Sequence, residues 1–227
     1  MRLVEYPSRV ALAAGLAAQI AAELRDGLTR GPVTLSVPGG TTPGPVFDLL
    51  AQADLDWTRV SVVLNDERWV DEGSPRSNTR LVRERLLQGP AAAARLIPMY
   101  LSGVDSPDAA LTRLEQGLVP HLPLTVCLLG MGADLHVASL FPGADRLAEA
   151  LSPDAPPLLP MRATGAAEPR LTLTAPVLRA ARHLHLLITG AEKKAVLLQA
   201  NRLSPLDAPV LAVLPGATVH WADHWAE

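Results

Sequence analysis

The segment Thr125-Val126-Cys127-Leu128-Leu129-Gly130-Met131-Gly132-Ala133-Asp134-Leu135-His136-Val137-Ala138-Ser139-Leu140-Phe141-Pro142-Gly143 is an apolar run that breaks into a glycine-punctuated loop. Strands buried on both faces read as continuous apolar runs of this kind, and they belong to parallel sheets covered by helices. In such folds, ligands and catalytic groups gather beyond the carboxyl ends of the strands. Asp134 and His136 fall just past this strand end, two residues apart. An imidazole there can gain and lose a proton near neutral pH, and a neighbouring carboxylate can fix its tautomer or position. A lone histidine more often caps or packs a loop than reacts, so the rest of the chain has to decide between the two roles.

Working outward from residues 125–129, four further apolar runs occupy residues 33–37, 60–64, 183–188 and 210–214. Helical patterns fill the intervals at 9–24, 44–52, 78–87, 109–118, 175–181 and 191–201. This alternation predicts one α/β domain over residues 1–227, built on a mostly parallel sheet with helices on both faces. The Pro-rich stretch at 152–157 reads as a loop within that domain and not as a linker. If the sheet is parallel, the loops after four of its strands meet on one edge.

Composition narrows the classes. The chain has 227 residues, a net charge of -3 and 48% hydrophobic residues, which describes a globular protein without a general nucleic-acid surface. No signal-peptide pattern opens it and no uninterrupted apolar run of about 18 residues suggests a membrane span, so a cytoplasmic location is expected. Cys127, the single cysteine, lies inside an apolar strand, which excludes an internal disulfide and a cysteine metal cluster and marks a core residue. His183 and His185 alternate on a strand and His220 and His224 lie in a Trp-rich tail, with no third ligand at a metal-binding spacing. Neither a metal nor a cofactor is expected. Of the 20 basic residues only Lys193 and Lys194 are lysines, so a lysine retained in an arginine-rich chain points to a need for a compact ammonium.

Three more strand-end loops carry chemistry. Pro38-Gly39-Gly40-Thr41-Thr42-Pro43-Gly44 precedes a helix, so its backbone N–H groups, its threonine hydroxyls and the helix dipole suit an anion. It has neither the Gly-Lys-Ser/Thr of an ATP-binding loop nor the G-x-G-x-x-G spacing of a dinucleotide site. Asn65-Asp66-Glu67-Arg68 follows residues 60–64; Arg68 suits a phosphate or carboxylate, and Asp66 suits sugar hydroxyls or a water. Asn78, after Ser77, serves equally well as a helix N-cap or as a site residue. Thr189-Gly190-Ala191-Glu192-Lys193-Lys194 places Lys193 in the first turn of a helix, an unfavourable place for a cation unless an anion sits nearby. Lys194 is expected to be solvated. Arg170 and Thr172 are expected on the same edge, although a strand followed by an N-cap at Thr174 accounts for that segment too.

These pieces, in this order, together with Ser139-Leu140-Phe141-Pro142-Gly143, resemble the 6-phosphogluconolactonase family within the wider glucosamine-6-phosphate isomerase/deaminase-like superfamily. The resemblance implies a Rossmann-like α/β lactonase domain that hydrolyses 6-phosphoglucono-δ-lactone in the oxidative pentose phosphate pathway without a metal or organic cofactor. His136 matches the proton-transfer histidine, with Asp134 or Asp66 orienting it. Gly39, Gly40, Thr41, Thr42 and Lys193 match the sugar-phosphate site, and Arg68 and Arg170 the substrate contacts. The implied partner is a small sugar-phosphate lactone, with no nucleic acid or membrane and a monomer or weak homo-oligomer as the state of assembly. A glucosamine-6-phosphate deaminase or isomerase, and a non-catalytic sugar-phosphate binder, are the alternatives. Arg68 after Asp66-Glu67, and Ser139-Leu140-Phe141 before Pro142, favour the lactonase. The family usually has Asp-Gly-His-Thr where this chain has Asp134-Leu135-His136-Val137, so a left-handed backbone at Leu135 carries a strain of about 1–2 kcal/mol.

Overall fold

The computed structural model describes residues 1–163 and 167–224. Its elements in chain order are β1 (Arg2–Glu5), α1 (Arg9–Leu28), β2 (Val33–Val37), α2 (Gly44–Leu50), β3 (Val60–Leu64), β4 (Asp66–Arg68), α3 (Asn78–Arg85), β5 (Arg95–Ile97), α4 (Pro107–Leu118), β6 (Val126–Gly130), α5 (Leu147–Leu151), β7 (Leu158–Met161), β8 (Arg170–Leu173), α6 (Ala175–Arg179), β9 (His183–Thr189), α7 (Ala191–Gln199) and β10 (Thr218–Ala222).

Seven strands form one parallel sheet in the order β1-β10-β9-β6-β2-β3-β5. All five residues of β2 are buried, as are Val126 to Leu129 in β6 and Leu184 to Ile188 in β9, so the sheet is covered on both faces. From β2 the chain proceeds outward to β3 and β5, whereas from β6 it proceeds the other way to β9 and β10. The adjacent strands β2 and β6 therefore flank the topological switch point, where diverging loops leave a crevice for a ligand. The loop with the paired glycines follows β2 and the loop with His136 follows β6.

α1 shows how the covering layer is encoded. Ser8 caps it by accepting from the Ala11 N–H at 3.1 Å. Leu12, Leu16, Ile20 and Leu24, spaced by four, form a fully buried stripe, with Ala13, Ala17 and Ala21 beside them allowing close approach. Beneath the helix, a buried polar thread runs from Glu23 Oε2 to His185 Nε2 (2.7 Å), from His185 Nδ1 to His220 Nε2 (3.0 Å) and from His220 Nδ1 to the Tyr6 hydroxyl (2.9 Å).

A second sheet, β4-β8-β7, is antiparallel and pairs Asp66 with Thr172 and Arg68 with Arg170. It delivers the Asp66-Glu67-Arg68 segment to the carboxyl edge of the main sheet. The Arg170–Thr172 stretch is thus a strand, and Thr174 does take the N-cap position of α6, although its hydroxyl donates to Pro156 O and not to the helix.

Several expectations need correction. Residues 210–214 are not a strand: Pro209–Ala212 forms a 3-10 turn, because Pro209 opens it and Pro215-Gly216 follows at once. The strand in that region is β10, whose Thr218-Val219-His220-Trp221 run is β-branched and aromatic. Lys194 is not merely solvated; it pairs with Glu5 at 2.8 Å and lies 3.8 Å from the Trp221 ring centre, fastening α7 to the sheet edge. Cys127 is buried as expected, and burial pushes its thiol up to about 12. Among the described residues, no helix is long and apolar enough to cross a membrane.

Candidate active site

A cleft of about 240 Å³ opens at the switch point. The β2 loop contributes Gly39, Gly40 and Thr42, β4 contributes Asp66 and Arg68, and Asn78, Gly132, His136, Arg170 and Lys193 complete the wall.

The phosphate-type loop is held by close packing. A β-carbon at Gly39 would overlap the Asn78 side chain, and Gly40 adopts φ +85, where side chains are strained. Among the described residues, none of the backbone N–H groups of residues 39–42 has an acceptor. Several free donors in one bend make a concavity suited to an anion. α2 has only seven residues, so these N–H groups carry more of the attraction than its dipole does. The Lys193 Nζ donates to Met131 O at 2.7 Å and faces the same cleft, as its position in the first turn of α7 suggested. Thr42 lines the cleft; Thr41 does not, and turns into an adjoining recess with Arg9 and Thr189.

In the loop after β6, His136 Nδ1 meets Asp134 Oδ1 at 2.5 Å, and the same oxygen accepts the His136 N–H at 3.3 Å. Asp134, and not Asp66, is thus the carboxylate on this imidazole. The bond requires a proton on Nδ1, which leaves Nε2 as the proton acceptor. His136 is 28% exposed, so the ring is reachable from solvent while still held. Gly132 is required here because a β-carbon would overlap both the His136 ring and the Asp134 carboxylate.

The loop backbone matches the strain expected at Leu135. Leu135 has φ +66 and Ala138 has φ +50. The Gly132 N–H donates to His136 O (3.0 Å), Leu135 N–H to Gly132 O (3.1 Å) and Val210 N–H to Leu135 O (3.0 Å), while the Leu135 side chain is buried. Packing and three hydrogen bonds hold a conformation that costs a non-glycine residue about 1–2 kcal/mol.

Asp66 is fixed from three sides: Ser139 Oγ donates at 2.5 Å, Arg170 lies at 3.4 Å and Asn78 Nδ2 at 3.5 Å. Burial pushes the Arg170 guanidinium below its ordinary value, partly opposed by Asp66, while neighbouring Arg68 adds to the fall. Arg68 donates to Arg76 O at 2.6 Å. Its Nε, the Nε of Arg170 and Glu168 Oε2 are the buried side-chain polar atoms without a partner among the described residues. Two arginines at a cleft with a donor each in reserve suit an oxygen-rich ligand. Glu67 is fully buried and accepts from Asn78 N, Thr79 N, Ser77 Oγ and Arg68 N, pinning the start of α3 to β4. Ser77 is the N-cap of α3; Asn78 is its first residue and turns its amide to Asp66 O at 2.9 Å, at the wall of the cleft.

Ser139 and Phe141 emerge from the structure as further members of the site. Ser139 is fully buried, although it stands in an apolar context in the sequence; Phe141 lies against His136 at 4.1 Å between ring centroids. Among the described residues no group of three or more His, Cys, Asp or Glu is arranged to hold a metal ion.

Residues 7–221 match the family model described as glucosamine-6-phosphate isomerases/6-phosphogluconolactonase. The chain is 42% identical over 229 residues to a 6-phosphogluconolactonase of Rhizobium meliloti (strain 1021), covering 100% of this chain and 98% of that protein. A 6-phosphogluconolactonase of Pseudomonas aeruginosa is 40% identical over 216 residues, covering 92% and 90%. Among solved structures, a 6-phosphogluconolactonase from Shewanella baltica OS155 superposes with a TM-score of 0.92 at 32% identity, covering 98% of this chain and 97% of that one.

Proposed function

The chain belongs to the family of glucosamine-6-phosphate isomerases and 6-phosphogluconolactonases, and on that premise we propose that it hydrolyses 6-phosphoglucono-δ-lactone to 6-phosphogluconate, the ring-opening step of the oxidative pentose phosphate pathway. One observation carries the reading: His136, held through Nδ1 by Asp134, lines the same cleft as Lys193 and as Gly39, Gly40 and Thr42, whose backbone N–H groups have no acceptor among the described residues. A proton-transfer group across from an anion cradle fits a substrate with a phosphate at one end and a reactive carbonyl at the other.

The loop at 39–42 and Lys193 take the phosphate, and that remote binding energy holds the lactone against His136. His136 Nε2 removes a proton from water as the water oxygen bonds to the carbonyl carbon, and Asp134 stabilises the imidazolium through Nδ1–H. Arg68 and Arg170 offer charge to the developing oxyanion. The bond from carbon to ring oxygen then breaks, and His136 returns its proton to that oxygen. Asp66, tied to Ser139, Asn78 and Arg170, serves as an acceptor for a sugar hydroxyl and not as a second base.

The test is lactone opening by the purified protein, measured above the spontaneous rate, with and without His136→Ala. A fall of about a hundredfold or more is expected, since proton-transfer groups typically supply 10²–10⁴-fold. An unchanged rate removes His136 from the mechanism. Ammonia release from glucosamine 6-phosphate with no lactone hydrolysis assigns the protein to the deaminase branch instead.

A further inference from the structure

Asp134 holds His136 by one nitrogen only, at 2.5 Å. With the covalent bond at Cγ, that contact holds one edge of the ring, and packing on the ring, where Gly132 leaves no room for a β-carbon, sets the tilt that aims Nε2. Phe141 adds to that packing. Its ring lies 4.1 Å from the His136 ring, centroid to centroid, with the planes inclined by 33°. Phe141 is itself anchored: it packs against the core beside fully buried Leu140, and Ala144 N–H closes a turn onto its carbonyl at 3.1 Å. The Arg170 guanidinium carbon lies 5.1 Å from the same ring centre, and Arg170 is in turn bound to Asp66 and near Ser139. One aromatic side chain thus lies against both the proton-transfer residue and a second cation of the cleft.

We propose that Phe141 is a positioning residue for the reaction: its ring keeps Nε2 of His136 aimed into the cleft and its π face favours the imidazolium that forms when His136 takes a proton. This rests on the lactonase reading above. An aromatic face attracts a cation within about 6 Å, and the attraction is strongest where water is partly excluded. Neutral imidazole gains less from the same face, so the contact is worth more after proton transfer than before it, which is the condition for accelerating that step. Arg170 adds a second consequence. A ligand that draws on Arg170 also bears on the ring that supports His136, so Arg170 and His136 are coupled through Phe141.

The experiment compares wild type, Phe141→Leu and Phe141→Tyr. Leucine keeps apolar bulk and discards the π face; tyrosine restores it. In Phe141→Leu, kcat is expected to fall about three- to tenfold with KM within about twofold, and the acid limb of kcat/KM to move to lower pH by about half a unit. Phe141→Tyr is expected to return both towards wild type. A residue that only filled space would lower the melting temperature without moving the acid limb. Independently of turnover, the carbon-bound ring protons of His136 should show the ring current of Phe141 in the NMR spectrum, lost in Phe141→Leu and kept in Phe141→Tyr. A Phe141→Leu enzyme with wild-type kcat and an unmoved acid limb, or His136 resonances indifferent to the change, overturns the proposal. A wild-type protein inactive on the lactone overturns the functional reading instead, a distinct result, because the resonances still report whether the ring contact exists.

Discussion

Replacing Leu135 by alanine and by glycine separates two terms that ordinarily act together. Leu135 sits at φ +66 with only 6% of its surface exposed, so its backbone is strained while its side chain is buried. Truncation to alanine removes the buried atoms and keeps the strain. Leu→Ala in a core costs about 2–5 kcal/mol, and the lower end applies here because Leu135 borders an open surface recess with Val196, Gln199 and Leu203 into which the gap can drain. Glycine removes slightly more side chain but relieves the left-handed penalty of about 1–2 kcal/mol. Against that relief stands the greater freedom of glycine in the unfolded chain, about 0.4–1 kcal/mol. The two variants should therefore both be destabilised, with Leu135→Gly more stable than Leu135→Ala by roughly 0.5–1 kcal/mol, the reverse of the usual order for these residues. Urea unfolding with linear extrapolation resolves that difference, provided the slopes agree. If alanine proves equal to or more stable than glycine, the left-handed conformation at 135 is not a source of strain and the reasoning fails.

Two further outcomes are expected. Lys193→Ala should raise KM more than it lowers kcat, because a phosphate handle contributes mainly uniform binding; equal losses in both, with phosphate affinity unaltered, contradict that role. Acid should weaken the fold through His220. Burial foremost, with the charge of His185 adding to it, pushes this fully buried histidine down to about 4, against about 6.5 when unfolded, so the unfolded chain binds the extra proton in that window. The stability it supports is complete above about pH 6.5 and falls as pH drops towards 4, by at most about 3 kcal/mol; Glu23, held below the usual carboxylate range by His185 despite its burial, extends the loss at lower pH. A urea midpoint that is flat between pH 6.5 and 4.5 contradicts this.

Much of the scaffold was legible because hydrophobic burial is a local signal. Residues 33–37 and 60–64 are strands to the residue, and 125–129 is displaced by one position. Residues 210–214 misled because five apolar residues read alike whether they cover a strand or turn as a 3-10 helix, and only the flanking prolines separate the cases. The true strand at 218–222 was obscured by His220, polar by type but fully buried, and by Trp221, whose indole N–H needs a partner; Tyr6 and His185 meet the polar atoms of His220, and Gly190 meets that of Trp221. In the site, the Asp134–His136 pair was legible as two residues on one tight loop. The choice between Asp134 and Asp66 was not, since Asp66 arrives on a separate sheet. Ser139 and Phe141 stood in the motif that carries the resemblance, but their roles did not: Ser139 meets Asp66 from 73 residues away and Phe141 meets Arg170 from 29, contacts that no local pattern records, whereas the packing of Phe141 on nearby His136 depends on how the loop turns. Thr41 and Thr42 are equivalent as letters, and only the bend of the backbone lets Thr42 reach the cleft while Thr41 lines only the recess beside it, which Thr42 also borders.

The switch point between β2 and β6 explains why an anion cradle and a proton-transfer loop come to face each other; Lys193 explains how they act together. Its ammonium donates to Met131 O, and the next residue, Gly132, donates its N–H to His136 O. In the proposed reaction the cation assigned to the phosphate is therefore tied, through one peptide unit, to the loop whose backbone is left-handed at Leu135 and Ala138. A lysine has three donors, so one can remain on Met131 while the others turn to a dianion in the 39–42 loop. A lysine presents its donors on one compact ammonium, whereas an arginine at 193 would bring a larger planar fork into the same space, a contrast that bears on why lysine stands here in a chain where 18 of the 20 basic residues are arginine.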